Sequence, residues 1–171
     1  MTILVREARE ADAAVVALLG RITFTETFGH LFRAHRGDLR IYLDVTFDVE
    51  KIRRSLNKQD NIYWLTLSDG LPVGYAKLKL RSVTPHLAEA DAAQLQKIYV
   101  LRDFIGDGYG RALLQIALER AAGVPAIWLA VLRQNRRAIR FYGRQGFTAR
   151  GDDTFVIGAQ NFDFCLMARR P

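Results

Sequence analysis

Three glycines lie within five consecutive residues of the segment RDFIGDGYGRALL, residues 102–114. The segment follows a strand-like run at 93–101, AQLQKIYVL, and leads into a helical apolar pattern from Arg111 to Ala122. Glycine lets the backbone wrap closely around a ligand, and a helix N-terminus exposes unpaired N–H groups at the positive end of its dipole. A strand, a glycine loop and a helix in this order therefore predict an anion site, most simply for phosphate. A glycine-rich turn without a ligand is the alternative.

Two common nucleotide motifs fit this loop poorly. The nucleotide P-loop ends in Gly-Lys-Ser/Thr, which is missing here. In the dinucleotide fingerprint the third glycine follows the second by three residues, whereas Gly110 follows Gly108 by two. Both classes of nucleotide site are therefore disfavoured.

Strand and helix patterns alternate along the rest of the chain, which predicts an α/β (α+β) fold around one central sheet. Ser68-Asp69-Gly70 separates two strand-like runs and predicts a tight hairpin turn. The predicted strands lie at 3–8, at 61–82 as a hairpin, at 93–101, at 126–132, at 147–157 and at 161–167. The predicted helices lie at 13–32 with breaks at Gly20 and Gly29, at 49–58, at 111–122 and at 135–145. Residues 35–47 fit either a short helix or a turn.

Composition limits the class of protein. With 171 residues, of which 50% are apolar, the chain is expected to form one domain over residues 1–171. No apolar run reaches the roughly 20 residues of a membrane span, and the N-terminus has acidic residues where a signal peptide has an apolar core. A cytoplasmic protein without a membrane partner is therefore expected. The single Cys165 is expected to be a small core residue, and with three scattered His it does not predict a metal site.

Net charge leaves two kinds of partner open. The chain carries a formal charge of +7, much of it in RQNRRAIRFYGRQGFTAR, residues 133–150. Such an excess attracts polyanions, including nucleic acid and phosphate-rich cofactors. A solvated helix face has the same composition. A basic nucleic-acid-binding module therefore stays as an alternative function, although no zinc-finger or RNA-recognition motif is present.

A second motif follows the glycine loop after one helix and one strand. It is WLAVLRQNRRAIRFYGRQGF, residues 128–147. Together the two segments resemble the GNAT superfamily of N-acetyltransferases, whose pattern joins a Gln/Arg-x-x-Gly-x-Gly/Ala loop to Asn-x-x-Ala-x-x-Phe-Tyr-x-x-x-Gly-Phe. The second half of that pattern is matched by Asn135, Ala138, Phe141, Tyr142, Gly146 and Phe147.

The resemblance implies a single-domain fold with a mixed, mostly antiparallel sheet, helices on both faces and two central parallel strands that splay apart. It implies acetyl-CoA as co-substrate, bound between residues 93–101 and 126–132, and no nucleic-acid partner. The pantetheine would pair with the backbone of Ile98, Tyr99 and Val100. The pyrophosphate would lie on the loop and first helical turn formed by Ile105, Gly106, Asp107, Gly108, Tyr109, Gly110 and Arg111. Further cofactor contacts would come from Asn135, Ala138 and Phe141.

Two residues depart from the family pattern. Ile105 stands where Gln or Arg is frequent, and Asp107 brings a carboxylate into the phosphate loop. If Asp107 faces the pyrophosphate, it lowers the affinity for the cofactor. Four arginines could compensate: Arg102, Arg111, Arg133 and Arg136. Ordinary surface charge is the alternative for each of them and is the favoured interpretation for all but Arg111.

The resemblance also implies catalytic roles. Tyr142 matches the general acid that protonates the departing thiolate, and the N–H of Val100 is a candidate oxyanion donor. Glu26 is the preferred general base, because TFTETFGHLF lies where the first helices of the family border the acceptor site. Three further residues are alternative bases: His30, Glu89 and Asp91. A CoA-binding protein that has lost transfer activity is a third hypothesis for the function.

The acceptor is expected to be a small-molecule amine. TFTETFGHLF, YLDVTF, VGYAKLKL and LQKIYV are similar to the bacterial branch that acetylates spermidine and spermine. A polyamine would need acidic groups at the site, for which five residues are available: Glu26, Asp38, Asp44, Glu89 and Asp91. Other amines stay open: a protein N-terminus, a lysine side chain or an amine antibiotic. A homodimer is among the assemblies to expect for this superfamily.

Overall fold

A computed structural model of the protein describes residues 2–171. The strands are β1 (Ile3–Glu7), β2 (Asn61–Ser68), β3 (Leu71–Lys79), β4 (Ala93–Val100), β5 (Ile127–Leu132), β6 (Thr148–Ile157) and β7 (Gln160–Arg169). The helices are α1 (Ala13–Phe28), α2 (Arg36–Thr46), α3 (Val49–Leu56), α4 (Tyr109–Arg120) and α5 (Arg136–Arg144), with short 3₁₀ turns at Glu10–Asp12, Gly29–Phe32 and Arg102–Phe104. No helix within residues 2–171 has the length and apolar character needed to cross a membrane.

One seven-stranded sheet runs through the molecule in the order β1-β2-β3-β4-β5-β7-β6. Every neighbouring pair is antiparallel except β4 and β5, which are parallel. The expected mixed, mostly antiparallel sheet is therefore confirmed. The predicted hairpins at 61–82 and at the C-terminal end are both present, as β2–β3 and β6–β7.

The two parallel strands pair for only a short distance. Ala93 lies opposite Ile127 and Gln94 opposite Trp128, and no further pair follows. Beyond those residues β4 and β5 diverge, so the expected splay is present. The facing edges of the two strands are left without a strand partner, and they open a cleft in the middle of the sheet.

Helices cover both faces of the sheet, because successive side chains of β2 are apolar and point to opposite faces. Trp64 packs in one cluster with Leu113 of α4, and its neighbour Leu65 packs in another with Val16 of α1 and Ile52 of α3. Successive side chains of a strand point to opposite faces, so a strand that is apolar at every position needs a cover on each side.

Two local expectations need correction. Helix α1 continues through Gly20, where a break was predicted. A Cβ at Gly20 would lie 2.3 Å from Cδ1 of Phe47, so this glycine leaves room for a ring and does not end the helix. The break at Gly29 is confirmed, since α1 ends at Phe28. Helix α4 begins at Tyr109, two residues before the predicted start at Arg111.

Two other expectations were met. Residues 35–47, which fitted either a helix or a turn, form α2 over most of their length. Cys165 is buried and free, as expected of a small core residue.

Candidate active site

A cleft of about 840 Å³ opens where β4 and β5 diverge. Its walls come from both strands, the glycine loop, α5 and the end of α1. Among the residues predicted to form the site, those that line this cleft are Glu26, Ile98, Tyr99, Val100, Ile105, Gly106, Gly108, Gly110, Arg111, Asn135, Ala138, Phe141 and Tyr142. The fold thus brings together thirteen of the fifteen predicted residues, and Asp107 and Tyr109 are the two outside the lining.

The cleft edge of β4 carries free backbone groups. The N–H of Leu101 donates to the carbonyl of Val73 on β3 at 2.8 Å. Because successive N–H groups of a strand point to alternate edges, those of Val100 and Ile98 are directed toward the cleft. The same alternation turns the backbone of Tyr99 toward β3, where it lies opposite Tyr75. Of the three residues expected to pair with the pantetheine through their backbone, Ile98 and Val100 therefore have backbone groups directed to the cleft. Tyr99 contributes its ring to the cleft wall instead.

The glycine loop forms a cradle of donors. None of the six consecutive N–H groups from Gly106 to Arg111 donates to a protein acceptor within residues 2–171. The first bond of α4 begins one residue later, where the Ala112 N–H donates to the Gly108 carbonyl at 2.9 Å. Six adjacent unpaired donors at the positive end of a helix fit an extended anion such as a pyrophosphate.

Backbone conformation explains two of the loop glycines. Gly106 has φ of +113° and Gly108 has φ of +98°, values that L-residues rarely adopt. Asp107 between them is exposed, and its side chain is not part of the cleft wall. In this conformation the Asp107 carboxylate therefore does not face the part of the cleft where a phosphate would bind. Tyr109 is buried under the loop, with its ring 5.8 Å from that of Phe104, so only its N–H belongs to the cradle.

Arginines border the cleft, and two of the four predicted arginines are among them. Arg102 and Arg111 line it, whereas Arg133 forms an ion pair with Asp152. Arg136 is also absent from the lining. Two unpredicted side chains, Arg137 and Arg144, take part instead. Their spacing of seven residues places both on one face of α5, a periodicity that could have revealed them in the sequence.

Helix α5 positions the second motif. The Asn135 side chain accepts a hydrogen bond from the N–H of Ala138 at 3.1 Å and so caps the helix. Two turns beyond this cap Tyr142 is 8% exposed, and its ring packs against those of Phe141 and Phe147 at centroid distances of 5.2 and 5.7 Å. Burial raises the pKa of Tyr142, which keeps the phenol protonated at neutral pH. The hydroxyl has no hydrogen-bond partner among the described residues, so its donor is free for a group in the cleft.

Glu26 contributes a carboxylate to the cleft. Its Oε2 accepts a hydrogen bond from the N–H of Arg102 at 3.0 Å, and the Arg102 guanidinium donates to the Glu26 carbonyl at 2.8 Å. These two bonds hold the end of α1 against the start of the glycine loop. The alternative bases His30, Glu89 and Asp91 line neither this cleft nor the pocket beside it.

The second cavity, here called the aromatic pocket, has a volume of about 480 Å³ and is enclosed by the sheet from β2 to β5, the helices α1–α3 and the β6–β7 hairpin. Half of its lining residues are aromatic. It adjoins the cleft, because several residues line both: Phe28, Gln96, Lys97, Tyr99, Ala130 and Phe164. This pocket and its lysines were not predicted from the sequence. Their one indication there is a charged residue within each of the apolar strands VGYAKLKL and LQKIYV.

Side chains that could bind a metal ion do not cluster among the described residues. Within residues 2–171 no three His, Cys, Asp or Glu side chains come together in a way that could hold a metal ion.

Comparison with known proteins gives a family match over most of the chain. Residues 25–147 match the acetyltransferase (GNAT) family. An uncharacterized N-acetyltransferase from Lactobacillus delbrueckii subsp. lactis is 25% identical over 163 residues, which cover 94% of this chain and 93% of the relative. An uncharacterized N-acetyltransferase from Mycobacterium tuberculosis strain H37Rv is 37% identical over 103 residues, which cover 59% of this chain and 62% of the relative.

Solved structures share the architecture. The PaiA N-acetyltransferase from Thermoplasma acidophilum, crystallised in complex with coenzyme A, superposes with a TM-score of 0.77 over the full length of both chains at 20% identity. At this identity the likeness establishes the fold.

Proposed function

The chain belongs to the acetyltransferase (GNAT) family and is an N-acetyltransferase, and from that premise we propose that it moves the acetyl group of acetyl-CoA to a primary amine of a small molecule while both substrates are bound. The observation that carries this proposal is the row of six unpaired N–H groups from Gly106 to Arg111 beside the free edge of β4. A diphosphate needs the first feature and an amide-containing chain needs the second. The acyl-CoA thioester supplies the activated acetyl group.

Cofactor binding in this proposal uses backbone more than side chains. The loop N–H groups hold the pyrophosphate, and the N–H groups directed to the cleft from Ile98 and Val100 pair with the pantetheine amides as an added strand would. Arg137 and Arg144 supply positive charge for the remaining phosphate. The capping residue Asn135 keeps the start of α5 in place along the cleft.

The chemical step needs three functions from this chain. The Val100 N–H donates to the carbonyl oxygen of the thioester as negative charge develops there. The neutral amine nitrogen forms the new C–N bond, the C–S bond breaks, and Tyr142 protonates the departing thiolate. The amine loses its extra proton to Glu26, directly or through water. Since burial raises the pKa of Tyr142, the phenol stays protonated and ready to donate.

The class of acceptor depends on the charges around the cleft. Spermidine or spermine would need carboxylates around its ammonium groups. Of the acidic residues considered for that purpose, Glu26 lines the cleft, while Asp44 pairs with Arg21 and Asp38 accepts from the N–H of Ala159. The described side chains thus offer a polyamine one carboxylate in the cleft, that of Glu26.

Calorimetric titration with acetyl-CoA, with duplex DNA as a control, tests the proposal. We expect saturable one-to-one binding of acetyl-CoA, no binding of DNA, and release of free thiol when an acceptor amine is added. Absence of acetyl-CoA binding together with salt-sensitive binding of DNA would overturn the proposal and assign the arginines of residues 133–150 to nucleic acid. Binding of acetyl-CoA without thiol release in any amine would instead support a CoA-binding protein without transfer activity.

A further inference from the structure

Two lysines meet inside the aromatic pocket. Lys77 on β3 lies directly opposite Lys97 on β4 in the antiparallel register. Like charges in directly opposed positions destabilise a sheet. Both side chains line the pocket, and Lys97 also lines the cleft. The fold thus holds an unfavourable pair of charges at the junction of the two cavities.

Nothing within residues 2–171 neutralises this pair. Neither ammonium has a carboxylate within 4.0 Å. Each lies instead near an aromatic ring, Lys77 at 5.3 Å from the centroid of Tyr63 and Lys97 at 5.5 Å from that of Phe47. Burial, together with the neighbouring lysines, lowers the pKa of each side chain to about 8. Positive charge in this pocket is therefore costly to the free protein and available to a ligand.

The charge balance of the pocket is one-sided. Its charged lining residues are Lys51, Lys77 and Lys97, without any Asp or Glu. The Lys51 ammonium donates to the carbonyl of Val45 at 3.1 Å at the edge of the pocket. The remaining wall is mostly aromatic, and the volume of about 480 Å³ suits a small organic molecule.

We propose that the acceptor is an amine that also carries an anionic group, a carboxylate or its equivalent, on an apolar or aromatic body. This inference rests on the proposed function, and it names the acceptor class of the same site. The anionic group binds between Lys77 and Lys97, the body packs against the aromatic wall, and the amine reaches the cleft past Lys97. A polyamine has the opposite charge, and these lysines repel it.

Matched pairs of probes test the role of the anion. L-phenylalanine is compared with L-phenylalaninamide, and 4-(aminomethyl)benzoate with 4-(aminomethyl)benzamide, so that within a pair a neutral amide of similar shape replaces the carboxylate. Spermidine is the cationic probe. Each compound is titrated into the protein saturated with coenzyme A, and each is then tested for thiol release with acetyl-CoA. We expect the acid of at least one pair to bind roughly 10- to 100-fold more tightly than its amide, the factor associated with a hydrogen bond to a charged group.

Lysine variants show whether the pair is responsible. Lys97→Met keeps the aliphatic stem and removes the charge, and we expect it to reduce the preference for the acid to roughly the level of the amide, on the same principle. Lys79→Met is the matched control, because Lys79 is on β3, the strand of Lys77, but lines neither cavity, and it should keep the preference. Since Lys97→Met also relieves repulsion, its melting temperature should not fall.

Three results would overturn the inference. One is equal or tighter binding of the amides or of spermidine, and another is no measurable binding of either acid at millimolar concentration with coenzyme A bound. The third is a Lys97→Met protein that melts earlier and keeps the preference for the acid, since the lysine would then be a structural residue. If acetyl-CoA itself does not bind, the proposed function fails; if acetyl-CoA binds and neutral or cationic amines are acetylated best, only the acceptor class is wrong.

Discussion

Replacement of Tyr142 by phenylalanine separates its catalytic role from its structural one. The Tyr142 ring packs against Phe141 and Phe147, and phenylalanine keeps both contacts. The hydroxyl has no hydrogen-bond partner among the described residues, so its removal costs the folded protein no internal bond. Melting temperature should therefore be unchanged. Binding of acetyl-CoA should be unchanged as well, because the donors of the glycine loop are not altered.

The rate of acetyl transfer is expected to change. General acid catalysis contributes about 10²- to 10⁴-fold to a rate. Burial raises the pKa of Tyr142 and makes it a weaker acid, which favours the lower end of that range. We expect Tyr142→Phe to lower kcat about 100-fold, equivalent to about 2.7 kcal/mol in the activation barrier.

Steady-state thiol release measures kcat, and calorimetry measures the affinity for acetyl-CoA. Tyr109→Phe is a matched control, because the hydroxyl of Tyr109 is buried without a partner and its side chain lies outside the cleft. That variant should keep the wild-type kcat. Equal rates in wild type and Tyr142→Phe, or equal losses in the two tyrosine variants, would refute the assignment of Tyr142 as the acid.

Two further predictions address the loop and the N-terminal region. Gly108→Ala should lower the free energy of unfolding by about 1–2 kcal/mol, because φ of +98° is strained for an L-residue, and should weaken acetyl-CoA binding in calorimetry. Gly143→Ala is the control, because a Cβ there meets no atom within 4 Å, and it should change neither quantity in this way. Unchanged affinity of Gly108→Ala for acetyl-CoA would contradict the assignment of the glycine loop to the pyrophosphate. Asp12 accepts two hydrogen bonds of 2.8 Å from the Arg6 guanidinium, which lower the pKa of Asp12 from 3.8 to about 2. The resulting stabilisation is fully present above pH 3.8 and is lost as the pH falls through about 2. Asp12→Asn should therefore lower the urea midpoint at pH 7 and differ less from wild type at pH 3, and an equal difference at both pH values would show that the carboxylate charge is not involved.

Local patterns in the chain determine most of the elements and the cofactor half of the site. The hairpin turn at Asp69-Gly70, the fully apolar strand at 127–132 and the glycine loop are each encoded within about a dozen neighbouring residues. The second motif is equally local, because its residues lie in one short helix, its N-cap and the turn that follows it. For this reason the glycine loop and, through the family resemblance, Asn135 and Tyr142 could be proposed from the sequence. The structure gathers around one cleft Gly106, Gly108, Gly110, Arg111, Asn135 and Tyr142.

Local patterns also mislead where a neighbour from elsewhere in the chain decides. Gly20 has the sequence signal of a helix break, but α1 runs through it because the ring of Phe47 occupies the space that a side chain would need. A glycine's signal does not distinguish a turn from a close approach, since both depend on the missing Cβ.

Tertiary structure alone determines the aromatic pocket. The register of β3 against β4 sets Lys77 opposite Lys97, and three separate helices close the aromatic wall around them. In the sequence these lysines are twenty residues apart, and each lies in an ordinary strand pattern. Strand register depends on pairing between distant segments, and a slip of one strand by one residue would turn its lysine to the other face of the sheet. The charge of the aromatic pocket is therefore a property of the assembled fold, whereas the glycine loop is already encoded in one short segment of the chain.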